Sequence, residues 1–117
     1  MSVNILGLNN VDFKIISSLE KCFLDDDIAD KREIDRISVL KNEKTSFQLA
    51  YTTRDGIGGT VFLTVELESE LKPYATISRV VNVPCTYPVY TNRCDDYYIR
   101  KKPGLYPDLI LPLSYEL

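Results

Sequence analysis

The residues of this 117-residue chain that could do chemistry are concentrated in its last third. Six of the eight tyrosines and five of the six prolines lie in residues 84–117, called here the Tyr/Pro segment. A tyrosine ring combines an apolar face with a polar tip, so such rings stack on sugars or pack in a docking surface. The candidate residues for sugar binding or domain docking are therefore the following tyrosines: Tyr87, Tyr90, Tyr97, Tyr98 and Tyr106.

Paired carboxylates in the same segment raise the question of glycoside hydrolysis, which uses two acids on either side of the scissile bond. Asp95 and Asp96 are adjacent, however, and neighbouring side chains on an extended backbone point in opposite directions. This geometry favours solvated or capping roles. A small hydrolase using these two acids remains the weakest alternative, and no catalytic residue is predicted.

Other catalytic and metal-binding chemistries have little support in the composition. The chain has no histidine, which excludes Ser-His-Asp and Cys-His catalysis and imidazole metal ligation. Its three cysteines are too far apart in the sequence to form a C-x-x-C pair; they are Cys22, Cys85 and Cys94. The acidic run 25–27 lacks the alternate acids, central glycine and closing glutamate of a calcium loop. We therefore predict no metal and no cofactor.

Charge and hydropathy also limit the partners. The net charge of −3 and the single basic cluster Arg100-Lys101-Lys102, which follows Asp95 and Asp96, predict no nucleic acid partner. No apolar run approaches the roughly 18–20 residues that span a membrane. The N-terminus shows no signal-peptide pattern, which favours a cytoplasmic protein with free thiols. A disulfide between Cys85 and Cys94 is the alternative.

The elements that would position these residues are predicted to be strands. Alternating apolar residues indicate strands at 36–40, 46–53, 60–67 and 74–83. The glycine-rich turn 54–59 predicts a hairpin between the second and third of these, with Phe47, Leu49 and Tyr51 on its apolar side. One helical turn is expected near residues 28–34. The prolines of the Tyr/Pro segment predict an extended loop region, because proline cannot donate to a sheet ladder.

This pattern predicts a single all-β domain over residues 1–117, an antiparallel β-sandwich of the immunoglobulin or jelly-roll kind. Five or six strands are indicated, whereas such sandwiches usually have about seven. The domain is therefore either a short sandwich or one that is incomplete at its C-terminus. An incomplete sheet has an unpaired edge, which predicts a homodimer through that edge.

Three segments resemble the N-terminal domain of glycoside hydrolase family 123 and its uncharacterised bacterial relatives. These segments are Ser18-Leu-Glu-Lys-Cys-Phe23, Leu40-Lys-Asn-Glu-Lys-Thr-Ser-Phe-Gln-Leu-Ala50 and Pro103-Gly-Leu-Tyr-Pro-Asp-Leu-Ile-Leu-Pro-Leu113. Their order and spacing cover nearly the whole chain. The resemblance favours a strand at residues 11–24, a region that the periodicity alone leaves open between helix and strand.

The resemblance implies a β-sandwich domain that precedes a (β/α)8 barrel. Enzymes of this family remove terminal N-acetylgalactosamine with an Asp-Glu pair that belongs to the barrel, so the resemblance gives this chain no catalytic residue. The function expected is that of a non-catalytic accessory domain that packs on a downstream catalytic domain through the Tyr/Pro segment. A carbohydrate-binding module that uses the same tyrosines is the alternative.

Overall fold

The computed structural model describes residues 2–5, 11–53, 63–88, 92 and 98–113. These residues form an all-β structure with little helix, as the sequence predicts, and two of its short 3-10 helices have described bounds. The elements in chain order are β1 (Ser2–Ile5), β2 (Val11–Ser17), η1 (Ile28–Asp30), β3 (Phe47–Thr53), β4 (Leu63–Glu66), η2 (Lys72–Tyr74), β5 (Ser78–Cys85) and β6 (Gly104–Pro112).

The strands pair as three antiparallel two-stranded ribbons, β1–β4, β2–β3 and β5–β6. In the β2–β3 ribbon, Val11 is opposite Thr53 and Ser17 is opposite Phe47. The predicted hairpin between 46–53 and 60–67 is wrong for the described residues, because β3 pairs with β2 and β4 pairs with β1. The glycine-rich turn 54–59 lies outside the described residues.

The main-chain contacts divide the chain into two compact units, and each is described by itself below. Unit 1 comprises Met1–Cys22 and Asp26–Ala75, and unit 2 comprises Phe23–Asp25 and Thr76–Leu117. The three residues Phe23–Asp25 therefore belong with the β5–β6 ribbon, although they lie far from it in the sequence.

The core of unit 1 is on one face of the β2–β3 ribbon. Ile16 on β2 and Ala50 on β3 pack with Ile28 of η1, and the half-buried Cys22 packs against this cluster. Ile16 is fully buried. The apolar side that the sequence predicts for β3, with Phe47, Leu49 and Tyr51, is the opposite face of the ribbon.

Polar contacts fix η1 over this core. The Asp27 carboxylate accepts a hydrogen bond from the Ala29 amide at 2.9 Å, the usual arrangement of a helix N-cap. At the other end, the Lys14 ammonium donates to the carbonyl oxygens of Ala29 and Lys31 at 3.0 and 3.1 Å. The predicted helical turn near residues 28–34 is thus confirmed at Ile28–Asp30.

The chain between η1 and β3 contains no strand within residues 31–46. The predicted strand at 36–40 is therefore wrong for this structure. A turn follows, in which the Leu40 amide donates to the Glu43 carboxylate at 2.7 Å and the Glu43 amide donates to the Leu40 carbonyl. Asn42 takes a left-handed conformation with φ 66°, which asparagine tolerates better than most residues.

The predicted strand at 74–83 is present in unit 2 as β5, which begins at Ser78, while residues 72–74 form η2. The predicted loop is wrong at residues 104–112, which form the nine-residue strand β6. Pro84, Pro107 and Pro112 all lie in these strands. Both strands of a two-stranded ribbon are edges, so a proline nitrogen can face away from the partner strand. A register shift between Val81 and Asn82 relaxes the pairing further.

Candidate functional surfaces

Unit 2 contains a compact group of side chains that we call the ring-and-ion cluster, formed by Phe23, Asp25, Arg100, Lys102 and Tyr106. The Arg100 guanidinium carbon lies 3.6 Å from the centre of the Phe23 ring. The Tyr106 ring meets Phe23 edge to face, with centroids 5.6 Å apart and planes at 82°. Both arrangements match the attraction of a positive group or ring edge to the face of an aromatic ring.

Charge pairs and hydrogen bonds complete this cluster. Asp25 accepts hydrogen bonds from Arg100 at 2.7 Å and from Lys102 at 3.3 Å. The Tyr106 hydroxyl, on β6, donates to the carbonyl oxygens of Arg100 and Lys102. Tyr106 thereby holds the backbone of Arg100 and Lys102 in place, and the side chains of these two residues pair with Asp25.

The electrostatics of Asp25 follow from these contacts. The hydrogen bond from Arg100 is the largest influence, and with that of Lys102 it lowers the pKa of the Asp25 carboxyl from its ordinary value against a smaller opposing effect of desolvation. The basic cluster 100–102 follows Asp95 and Asp96 in the sequence, and these two acids lie outside the described residues. The structure pairs Arg100 and Lys102 with Asp25.

The candidate tyrosines fall into three groups. Tyr87 and Tyr98 are 77% and 47% exposed, so their rings are accessible in this structure. Tyr106 is half-buried, and the chain's own residues engage both its ring and its hydroxyl. Tyr90 and Tyr97 lie outside the described residues. For the described part of the candidate face, Tyr87 and Tyr98 are the rings available to a ligand or partner, and Tyr106 anchors the cluster.

The β5–β6 ribbon carries an apolar surface. We call it the Ile110 face; it consists of Val80, Pro84, Leu105 and Ile110, all of them exposed. Val80 is opposite Ile110 and Pro84 is opposite Leu105, and residues four apart on β5 share a face. The register shift between Val81 and Asn82 brings Leu105 and Ile110, five apart on β6, to that same face. Asn82 and the buried Pro107 lie between the two pairs. Tyr106 is one position along from Leu105 and so belongs to the opposite face.

Unit 1 carries a second apolar surface, the Phe13 face of the β2–β3 ribbon, formed by Phe13, Ile15, Phe47, Leu49 and Tyr51. Phe13 is opposite Tyr51 and Ile15 is opposite Leu49. Ile15 and Leu49 are half-buried, whereas the three rings are exposed. The face that the sequence predicts as the apolar side of β3 is thus the more exposed one in this structure.

The three adjacent acids Asp25, Asp26 and Asp27 do not converge on one point. Asp25 pairs with Arg100, Asp26 pairs with Lys31 at 2.9 Å, and Asp27 caps η1. Among the residues that the structure describes, no group of three histidine, cysteine or acidic side chains could hold a metal ion. These acids each have a structural partner.

Lys31 is the centre of a second polar group, in unit 1. Besides Asp26, its ammonium lies 3.7 Å from the Glu20 carboxylate and donates to the Lys21 carbonyl at 2.8 Å. The hydrogen bond to Asp26 is the main cause that raises the pKa of Lys31. Desolvation raises the pKa of the nearby Cys22 thiol, which keeps it protonated and poorly nucleophilic.

Cys85, at the end of β5, is a free and exposed cysteine whose thiol is 3.6 Å from the Tyr87 carbonyl oxygen. Cys94 lies outside the described residues. None of the described helices is long and apolar enough to cross a membrane.

Sequence reasoning misses the ring-and-ion cluster, because Asp25 and Arg100 are 75 positions apart. The one available signal is the opposite charge of the runs 25–27 and 100–102, which local periodicity does not connect. Comparison of the chain with protein-family models, with curated proteins and with solved structures finds no match in any of the three.

Proposed function

We propose that this chain is a non-catalytic accessory domain of a bacterial glycoside-hydrolase-like protein and docks on a downstream (β/α)8 barrel through the Tyr/Pro segment. The observation that carries the proposal is the Ile110 face together with the exposed rings of Tyr87 and Tyr98. Large apolar side chains on a strand face are stabilised when another layer covers them. The resemblance to family 123 supplies the barrel as that layer.

The fold proposed for this domain is an antiparallel β-sandwich. The support is that the β2–β3 ribbon has apolar side chains on both faces, and η1 covers one of them. Sheets in small β domains bury such faces by layering. Each ribbon also has open edges within the described residues, which supports our proposal of a homodimer formed by edge pairing. We also propose a cytoplasmic location, which the free thiols of Cys22 and Cys85 support.

The docking proposal is tested by expressing the 117-residue chain alone and extended through the downstream sequence of its gene. We expect the downstream region to raise the midpoint of unfolding of this domain. The Ile110→Ser substitution should reduce that increment, because Ile110 is 69% exposed and buries area only when a partner covers it. The wild type and Ile110→Ser are also measured in the isolated chain. Subtracting the effect of the substitution there from its effect in the extended chain gives the contribution of docking alone.

The matched control is Leu40→Ser, which removes an aliphatic side chain of similar exposure, 79%, from the 40–43 turn of unit 1. It should leave the increment unchanged. A gene that encodes no barrel downstream, or an increment that both substitutions reduce equally, refutes docking through the Ile110 face.

A carbohydrate-binding module is the second candidate, and the accessible rings of Tyr87 and Tyr98 favour it. Its test is a titration of N-acetylgalactosamine, followed by tyrosine fluorescence. Sugar binding predicts a saturable signal that Tyr87→Ala or Tyr98→Ala removes. Tyr106→Phe is the control, because it keeps the ring against Phe23 and loses only hydrogen bonds to backbone carbonyls. A flat titration refutes this candidate.

A further inference from the structure

We propose that the outer edge of β3, the side that faces away from β2, is a self-association surface. It pairs antiparallel with the same edge of a second copy of this chain, about a two-fold axis. The inference rests on the homodimer proposed above and deepens it by naming the edge that forms it. Among the described strands, β2 is the one neighbour of β3, so the other side of β3 is an edge.

The backbone bonds of the β2–β3 ribbon fix which groups lie on this edge. From outside the ribbon, the Ile34 amide donates to the Ile15 carbonyl at 2.9 Å, so the backbone groups of Ile15 face away from β3. In an antiparallel ladder, such a residue is opposite another whose groups face outward, and the two sides alternate along each strand. Leu49 is opposite Ile15 and therefore presents its amide and carbonyl on the outer edge of β3. The same holds two residues away, at Phe47 and Tyr51.

The devices that usually protect a sheet edge are not found on β3. Its seven residues, Phe47–Thr53, include no proline and no charged side chain. Among the described residues, no backbone group from outside the ribbon bonds to Leu49 or Tyr51. An edge of this kind pairs readily with another chain, and natural proteins usually block such edges with charges, prolines or a covering segment.

The other described edges are less suited to pairing. β2 carries the charged Asp12 and Lys14, and Ile34 already occupies part of its outer edge. The strands β5 and β6 contain three prolines, which are Pro84, Pro107 and Pro112. β1 and β4 have four residues each, which limits the number of bonds that they can form. The observations therefore favour β3 as the edge of the homodimer.

The side chains of β3 are compatible with self-pairing. An antiparallel pairing that overlaps all seven residues places Ala50 opposite its own copy, Leu49 opposite Tyr51 and Phe47 opposite Thr53. In this register the outward backbone groups of one copy meet those of the other. Phenylalanine opposite threonine is a favourable cross-strand pair, and the uncharged strand brings no like charges together at the two-fold axis. The Phe13 faces of the two copies then form one continuous surface.

Hydrogen exchange of the full 117-residue chain, followed by NMR, tests this pairing residue by residue. A dilute and a concentrated sample are compared, chosen by sedimentation to lie below and above the dissociation constant of the dimer. Exchange at Leu49 and Tyr51 should slow in the concentrated sample, because the second copy accepts hydrogen bonds from these amides. The amides of Gln48 and Ala50 face β2 and should exchange at the same slow rate in both samples.

A matched pair of proline variants separates this edge from the outer edge of β2. Tyr51→Pro removes an outward amide of β3 and keeps the bonds to β2, because the lost N–H faces away from β2. It should weaken dimerisation roughly thirtyfold, since the two-fold axis repeats the loss of one net hydrogen bond. Phe13→Pro is the control, because Phe13 is an exposed ring directly opposite Tyr51 whose amide lies on the outer edge of β2. It should leave the dimer intact.

The outcomes separate this inference from the proposals on which it rests. A dimer whose Leu49 and Tyr51 amides exchange equally in both samples overturns pairing through β3 and leaves a homodimer through another edge. Equal weakening by the two prolines, with Ala50 still protected in both variants, has the same meaning. If a proline unfolds the ribbon, the exchange of the unsubstituted chain decides. A chain that is monomeric at every concentration overturns the homodimer as well, whereas docking through the Ile110 face concerns unit 2 and has its own test.

Discussion

The β2–β3 and β5–β6 ribbons have the same antiparallel two-stranded pairing, but different forces attach the rest of their units to them. On β2–β3, Ile28 of η1 packs on Ile16 and Ala50 in an aliphatic core. On β5–β6, the segment Phe23–Asp25 is attached through a cation–π contact, an aromatic pair and ion pairs. The first attachment depends on the area removed from water, and the second depends on charge and ring geometry.

This difference has a consequence for how each unit responds to its surroundings. Apolar burial is insensitive to pH and is not screened by salt, whereas half-exposed ion pairs are sensitive to both. The comparison therefore predicts that substitutions in the β2–β3 core have large effects under all conditions. Substitutions in the ring-and-ion cluster should have smaller effects that vary with pH and ionic strength.

The largest effect is expected from Ile16→Ala, because Ile16 is completely buried between η1 and the ribbon. Removing these methyl groups should lower the free energy of unfolding by about 2–5 kcal/mol through lost burial and a residual cavity. Urea unfolding followed by circular dichroism measures the change. Ile110→Ala is the control, and at this exposed position we expect a loss below about 0.5 kcal/mol in the isolated chain. Equal losses would contradict the core assigned to unit 1.

An intermediate effect is expected from Phe23→Leu. Leucine keeps most of the buried area but loses the ring that faces Arg100 and Tyr106, at a cost of about 1–2 kcal/mol. The matched control is Phe13→Leu, at an exposed phenylalanine of the other ribbon. Urea unfolding compares the two, and a smaller loss at position 23 than at position 13 would contradict the aromatic attachment of unit 2.

The sequence predicts several elements of these ribbons but not their pairing. The alternation in residues 46–53 locates β3, and residues 74–83 overlap β5. The pairing prediction fails because it assumes that consecutive strands form a hairpin. In the structure the 29-residue connection from β2 to β3 carries η1, which packs on the ribbon through Ile28. Local periodicity does not detect this contact.

Proline is informative about a strand only if the number of neighbouring strands is known. The prediction of a loop at 104–112 assumes a strand with a neighbour on each side, where a missing amide breaks the ladder. In a two-stranded ribbon every strand has a free side. Single-sequence patterns do not report how many strands a sheet has, so β6 could not be predicted from Pro107 and Pro112.

The candidate site shows the same limit. Composition identifies the tyrosines, and Tyr87 and Tyr98 are exposed as a binding or docking face requires. The separate role of Tyr106 depends on Phe23, more than 80 positions earlier in the chain. Long-range contacts of this kind follow from the fold, and they explain why one predicted tyrosine is an anchor while two others are accessible.

The smallest effect, and the most diagnostic one, is expected from Asp25→Asn. The pKa of Asp25 is lower in the folded chain than in the unfolded chain, chiefly because of the hydrogen bond from Arg100. Its ionised form therefore stabilises the fold above the unfolded value of about 3.9, and this stabilisation is lost as the pH falls through the folded value. The asparagine variant should be less stable than the wild type at pH 7 and approach its stability at low pH.

The difference in stability between the two proteins at pH 7 should also shrink in 0.5–1 M salt, by roughly the screening expected for an exposed pair. Asp35→Asn, an exposed acid of unit 1, is the control, and an equal pH dependence at both positions would contradict the ionic attachment of Phe23–Asp25.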